Sequence, residues 1–386
     1  MKNLKEINAD VIVAGAGFSG AAAARTLAEK GYRVVILEQR KTVGGNAYDY
    51  DDRGILAHMY GPHIFHTNYD AVYDFLSRFT GWFDYKHKVL GSIDGKLVPI
   101  PFNFSGLDML FRPKEAAIIK KALLAEYGEN KKIPILELKN KYNKNPLMVK
   151  FADYVYEKVF HNYTLKQWGM PPEALGAGVM NRVPVVASYE SGYFADKYQC
   201  MPVNGFTALI TAMLDHPLID VRLNTKFDEV VTLGDGMPFL NGKPFAGRII
   251  YTGCIDELFG YKYGKLPYRS LKFKFEHLDN GNFQPAAVVN YPNTKKYTRI
   301  TEFSKFTCKP QEKYSVVVKE YPMAHEEGMI PYYPVEIPEN KELYKRYEDE
   351  VNKIRGFFLL GRLANYKYIN MDAAVLNALE LVRDNF

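Results

Sequence analysis

The 386-residue sequence predicts an α/β protein. Its main domain is built on a largely parallel sheet and returns in three pieces of chain. A helical bundle and an antiparallel β-sheet interrupt it. Three observations carry this reading. A glycine-rich turn joins a short apolar strand to an alanine-rich helix near the N-terminus. Apolar residues recur at helical spacing through much of the first half. After about residue 265, apolar and polar residues alternate with period two.

The opening element is "DVIVAGAGFSGAAAARTLAEKGYRVVILE", which reads as strand, turn, helix and strand. Asp10–Ala14 suits a strand buried on both faces. Gly15, Gly17 and Gly20 form GxGxxG, with Phe18 and Ser19 at the start of the helix. The first glycine permits the turn, the second lets the backbone approach a pyrophosphate, and the third lets helix pack on strand. Free N–H groups and the positive helix end then favour phosphate. The helix stops at Gly31, and a second strand, Arg33–Leu37, leads to Glu38 and Gln39. Glu38 stands where a ribose hydroxyl needs an acceptor. Five residues later come Gly44, Gly45 and Asn46. FAD is longer than one glycine turn can hold, so a second close backbone approach favours FAD over NAD. The pattern GxGxxG…E-x5-GG resembles the glutathione-reductase-like class of FAD proteins, and a discontinuous FAD-binding Rossmann-like domain is expected.

Residues 70–83, 114–127 and 146–160 carry helical spacing, and Pro113 suits a first helical turn. A helical insertion is expected over 105–175. In "SLKFKFEH", Leu271, Phe273 and Phe275 alternate with Lys272, Lys274 and Glu276, as in a half-buried antiparallel strand. "GRIIYTGCIDELFG" (247–260) and "GFFLLGRLANYKYINMDAAVLNALELV" (356–382) return to the strand-turn-helix style. The expected division is 1–85 with 203–262 and 340–386 for the nucleotide domain, and 86–104 with 176–202 and 263–339 for the antiparallel sheet, which is also the substrate domain.

The net charge of +6 comes from scattered lysines and arginines, with no basic block that would suit nucleic acid. A modest positive bias suits an anionic small substrate. No apolar run is long enough to span a membrane, and "MKNLKEINAD" lacks the apolar core of a secretory signal. Cys200, Cys254 and Cys308 are few and far apart, which fits a reducing cytoplasm. "YGPHIFHT" places His63 and His66 three residues apart. Alone, it leaves a metal site, a catalytic pair and a plain turn open. No companion Cys or His cluster appears, so no metal is expected.

Four stretches, "GGNAY", "YGPHIFHT", "YTLKQWG" and "GRLANYKYINMD", together resemble the UDP-galactopyranose mutase family. "IIYTG", "YRSLKF", "YTRITE", "VVKEYP" and "PYYPV" extend the resemblance over nearly the whole chain. It implies an isomerase that interconverts UDP-galactopyranose and UDP-galactofuranose and supplies galactofuranose for cell-surface polysaccharide. In that chemistry N5 of reduced FAD attacks the anomeric carbon, UDP leaves, and a covalent flavin–sugar adduct recloses as the other ring.

The resemblance also implies roles. Arg182 and Arg299 hold the diphosphate, Arg182 from a Gly- and Pro-rich lid. Tyr163 and Trp168 serve the uridine side. Tyr193, Tyr333 and Tyr368 donate to phosphate, with Asn370 beside them. His63 and Ile64 wall the flavin, His63 close to the reacting centre and His66 structural. Arg362, Met371 and Asp372 lie at the flavin and its diphosphate. A homodimer is implied by bacterial relatives.

Asn370, Val186, Cys200, Asn204 and Leu360 depart from the family pattern, several of them near substrate-binding segments, and leave the sugar open. UDP-N-acetylgalactosamine and dTDP-fucose are the alternative substrates. An amine-oxidase-type flavin oxidoreductase and a binding protein resembling a GDP-dissociation inhibitor are the rival classes. The first has no need of two diphosphate arginines, and the second has no need of a complete FAD fingerprint.

Overall fold

A computed structural model describes residues 7–142, 144–175, 184–234, 236–307 and 313–386. Five parallel strands run in the order Ile219–Arg222, Val34–Leu37, Val11–Ala14, Arg248–Tyr251, Phe357–Leu359. Val11–Ala14 and Val34–Leu37 are buried at every position, because helices and loops cover both faces. The helix Phe18–Glu29 packs between Met371–Asn385 and Gly205–Leu214. The parallel sheet is thus assembled from three distant parts of the chain.

A second sheet has seven strands, in the order Tyr333–Pro334, Tyr268–Leu278, Ser315–Ala324, Arg299–Glu302, Val288–Asn290, Val89–Ile93, Lys96–Ile100. Along Tyr268–Leu278, Lys272 and Lys274 are exposed and Phe273 and Phe275 half-buried. This sheet is not wholly antiparallel: Val288–Asn290 and Val89–Ile93 pair in parallel, because the chain leaves for the helices before returning.

The helices between the sheets are Phe104–Leu110, Pro113–Tyr127, Ile135–Lys141, Pro146–Val155 and Asn162–Trp168. Pro113 is the first helical residue, where its missing N–H costs nothing. Between the last two helices, Tyr156–His161 forms a π turn, a local rewinding often found at functional sites.

The expected helix over 70–83 is shorter, Asp70–Ser77. Trp82–Asp84 is instead a strand, drawn into pairing by Cys200–Pro202. Tyr198–Pro202 also pairs with Phe65–Thr67. We therefore keep the three-part domain division as a proposal, with Tyr198–Pro202 moved to the nucleotide part.

Candidate active site

The nucleotide turn is built as its sequence demands. A Cβ on Gly20 would stand 2.0 Å from the Gly15 carbonyl oxygen, so only glycine lets the helix lie this close to the strand. The Gly44 N–H donates to Ala16 O (2.9 Å), bringing Gly45 against Gly17. Gly17 precedes Phe18–Glu29 without any side-chain cap, so the helix's first N–H groups stay open to an anion. Phe18 is buried edge-on against Phe206 (5.9 Å), and Ser19 lies beside Gly361.

Glu38 is buried, and its two oxygens accept from Ala16 N (2.8 Å) and Arg40 N (2.8 Å). It therefore braces the glycine turn itself, with a further lone pair on each oxygen for a ribose hydroxyl. Gln39 is exposed.

The sequence reading missed Arg40. Its Nη2 donates to Asn46 Oδ1 (2.9 Å), and its guanidinium lies 4.4 Å over the Tyr60 ring. Its Nη1 is buried with no partner. An arginine two residues after the ribose acid was the available signal. A glycine cradle, an open helix end and an arginine with one unpartnered buried nitrogen fit FAD and its diphosphate.

A cavity of about 480 Å³ opens beside this turn. His63, Ile64, Asn46, Arg362 and Met371 line it, together with Tyr163, Trp168, Tyr193 and Arg299. Tyr333, Tyr368 and Asn370 complete the wall. Asp372 is not part of the wall; it sits in the first turn of Met371–Asn385. Arg182 lies outside the described residues. The π turn brings Val159 and Phe160 onto the wall ahead of Tyr163.

Arg299 is a fixed cation on the cavity wall. Its Nε donates to Glu320 Oε1 (2.6 Å). Glu320 is fully buried, while 26% of the Arg299 side chain is exposed. Burial works against the arginine's charge, but the Glu320 carboxylate outweighs it and holds the guanidinium protonated. Arg362, also on the wall, has partners within the protein. Its Nε and Nη2 donate to Ile369 O (3.2 and 2.6 Å) and its Nη1 to Tyr332 O (3.1 Å). It lies over Tyr333 (5.4 Å) and Tyr368 (5.0 Å), so it ties loops and tyrosines together as well as facing the cavity. Trp168, Tyr333 and Tyr368 form an aromatic corner with ring centroids 5.1 to 5.9 Å apart. Burial pushes the Tyr333 phenol up to about 12, so it stays a donor.

His63 Nδ1 lies 2.8 Å from Gly61 O. Burial first, then the neighbouring His58, lowers His63 to about 3, against a small opposing pull from Gly61, so the ring is neutral. His66 stacks on Phe194 (3.7 Å) and its Nδ1 lies 3.1 Å from Asp196 Oδ2, a packed arrangement at the cavity edge. Also missed were His87, a neutral wall residue lowered to about 3 by burial, and Asn290, whose Oδ1 is buried without a partner. Among the described residues no group of three or more His, Cys, Asp or Glu could hold a metal, and no helix is long and apolar enough to cross a membrane.

Of the five departures, only Asn370 is on the wall. Cys200 is buried in a strand opposite Phe65 and Asp84. Asn204 precedes Gly205–Leu214, Leu360 is buried ahead of Gly361, and Val186 is buried opposite Lys132. Of the departures expected near substrate-binding segments, Asn370 is thus the one that lines this cavity.

The family model "UDP-galactopyranose mutase" matches residues 158–368, and an NAD(P)-binding Rossmann-like model matches 13–79. The UDP-galactopyranose mutase of Mycoplasma pneumoniae is 37% identical over 379 residues, covering 96% of this chain and 94% of the relative. The dTDP-fucopyranose mutase of Escherichia coli is 31% identical, covering 96% of each chain. A crystal structure of reduced UDP-galactopyranose mutase superposes with a TM-score of 0.70 at 17% identity, covering 98% of this chain and 93% of that one. That likeness shows the fold, and the sequence matches, running along nearly all of the chain, show more: it belongs to the UDP-galactopyranose mutase family, and its cofactor is FAD.

Proposed function

We propose that this enzyme interconverts UDP-galactopyranose and UDP-galactofuranose. The observation that carries the reading is Arg299, a cation pinned by buried Glu320 in a cavity that joins the flavin-side loop at His63 to the aromatic corner at Trp168. Bound and reduced, FAD supplies a nucleophilic nitrogen to the anomeric carbon, and the exchange is redox-neutral overall.

The chain's residues do the rest. With Nε committed to Glu320, the Nη groups of Arg299 remain for the phosphate oxygens of the departing UDP. Because the ion pair prevents rotation, the cation is already in place when charge develops on the leaving group. Tyr333 and Tyr368 add neutral donors, Tyr193 a third, and Tyr163 and Trp168 offer faces to uridine. By the family resemblance, Arg182 is the second clamp on the diphosphate. His63 is neutral, so its free ring nitrogen accepts from the sugar or the flavin edge. The aromatic walls keep water from competing at the anomeric carbon. None of this needs an external oxidant, which separates the enzyme from an amine oxidase.

One observation favours a second substrate. Asn370 lies on the wall, and the similar E. coli protein is a dTDP-fucopyranose mutase. The same exchange on dTDP-fucose, or on UDP-N-acetylgalactosamine, is therefore the alternative. Use of galactofuranose in cell-surface polysaccharide and a homodimer belong to the same proposal, supported by the family resemblance alone, and so does a cytoplasmic location, supported by the few, scattered cysteines. The test is to incubate dithionite-reduced protein with each nucleotide furanose and chromatograph the products. Conversion of none of them would sink the proposal.

A further inference from the structure

His58 has no part in the scheme above. It ends the strand Ile55–His58 and is 1% exposed. Phe303, Phe306 and Phe206 pack around its ring, with centroids 5.3, 5.6 and 5.7 Å away. Its Nδ1 lies 2.9 Å from the backbone nitrogen of His63. A backbone N–H can only donate, so Nδ1 is unprotonated and the ring proton sits on Nε2. The apolar cage keeps the ring neutral, which keeps that lone pair available.

His63 has the opposite tautomer. Its Nδ1 faces the Gly61 carbonyl, which can only accept, so Nδ1 carries the proton and Nε2 the lone pair. The turn between them is short of its own donors, because Pro62 has no N–H. It is also tight. Gly61 has φ +92°, and a Cβ there would meet the Phe273 ring at 3.3 Å. In this turn the His63 amide donates to a side chain from the preceding strand, that of His58.

We propose that His58 is a positioning residue of the active site. Its unprotonated Nδ1 fixes the backbone of the 61–64 turn, and through it the direction in which His63 meets the cavity. The inference rests on the proposed function, which sets His63 beside the reacting centre. Without the acceptor the partly buried His63 N–H would lose its partner, and the turn would re-orient to satisfy it.

Two variants separate the hydrogen bond from the packing. Asparagine can place an oxygen where Nδ1 lies, while phenylalanine fills the cage without an acceptor. Both are compared at full FAD loading and with native-like circular dichroism. In reduced protein, His58→Asn should keep kcat within about threefold of the parent, while His58→Phe loses about tenfold or more in kcat with KM nearly unchanged. Equal activity of the two variants, high or low, overturns the proposal. A second readout needs no turnover. Nitrogen-15 histidine NMR of the parent should show one ring, absent from His58→Asn, with Nδ1 unprotonated and Nε2 protonated near neutral pH. The opposite tautomer overturns the proposal. If the parent converts no nucleotide sugar, the functional reading fails, and the hydrogen bond itself stands or falls on the NMR.

Discussion

Arg299 and Glu320 form an ion pair that straddles cavity and core: the nitrogen and oxygen are 2.6 Å apart, and only the arginine reaches the open side. Removing the arginine should therefore have two effects. Arg299→Ala takes a charge-assisted donor from the leaving group, at a cost of about 2–4 kcal/mol in transition-state stabilisation. It also strands a buried carboxylate, which costs about 3–5 kcal/mol of stability. Arg182→Ala should show the kinetic loss in the reduced enzyme. Assays paired with urea unfolding separate these effects. An Arg299→Ala protein with near-native activity would remove that residue from the clamp.

Gly45 tests the cofactor cradle. It sits at φ +55°, and a Cβ there would approach the Gly17 Cα to 3.0 Å. Gly45→Ala should spread the two glycine loops and weaken FAD binding by about tenfold, a cost of order 1–2 kcal/mol. Heat-released cofactor, identified by mass spectrometry and quantified, checks this. Undiminished FAD affinity would show that the loops do not pinch the diphosphate, and recovery of NAD would overturn the assignment.

Acid should destabilise the fold in a defined window. His58, His63 and His87 are lowered from 6.5 to about 3, burial being the main cause in each. Their folded pKa values lie below the unfolded ones, so the unfolded chain takes up protons first. The stability they contribute is complete above about pH 6.5 and is lost as pH falls toward about 3. At about pH 5 the loss is on the order of 2 kcal/mol per histidine. Urea midpoints at about pH 7 and 5 measure it, and His87→Asn should remove about a third of the effect. Equal midpoints would mean that these rings are already solvated or protonated.

Asn370 is the departure from the family pattern that reaches the cavity wall. Asn370→Asp puts a charge on the cavity wall and removes a donor, so preference among nucleotide sugars should shift by ~1–3 kcal/mol. Competition between UDP-galactofuranose and dTDP-fucofuranose on reduced enzyme reads this directly. An unchanged ratio would place sugar selection elsewhere.

The glycine turn is legible in the sequence because its demands are local: a positive φ, a close backbone approach and a helix end, all within a few residues. The alternation in Tyr268–Leu278 is legible for the same reason. Long-range partners are not. Nothing near Arg299 in sequence announces Glu320, which reaches it from the neighbouring strand. Arg40, His58 and His87 likewise gain their meaning only when distant segments close around them. Trp82–Asp84 has helix-like spacing, yet its strand partner, Cys200–Pro202, lies far along the chain. Cys200 and Leu360 show the converse, since proximity to a motif in sequence did not place them on the cavity.

The central claim is a redox-neutral ring interconversion that needs reduced FAD. The most direct measurement incubates FAD-loaded protein, oxidised or dithionite-reduced, with UDP-galactofuranose and separates the products by chromatography. UDP-galactopyranose should come from the reduced protein only, with the flavin still reduced at equilibrium. Equal conversion by the oxidised protein, or net oxidation of the flavin in step with sugar consumed, would contradict it.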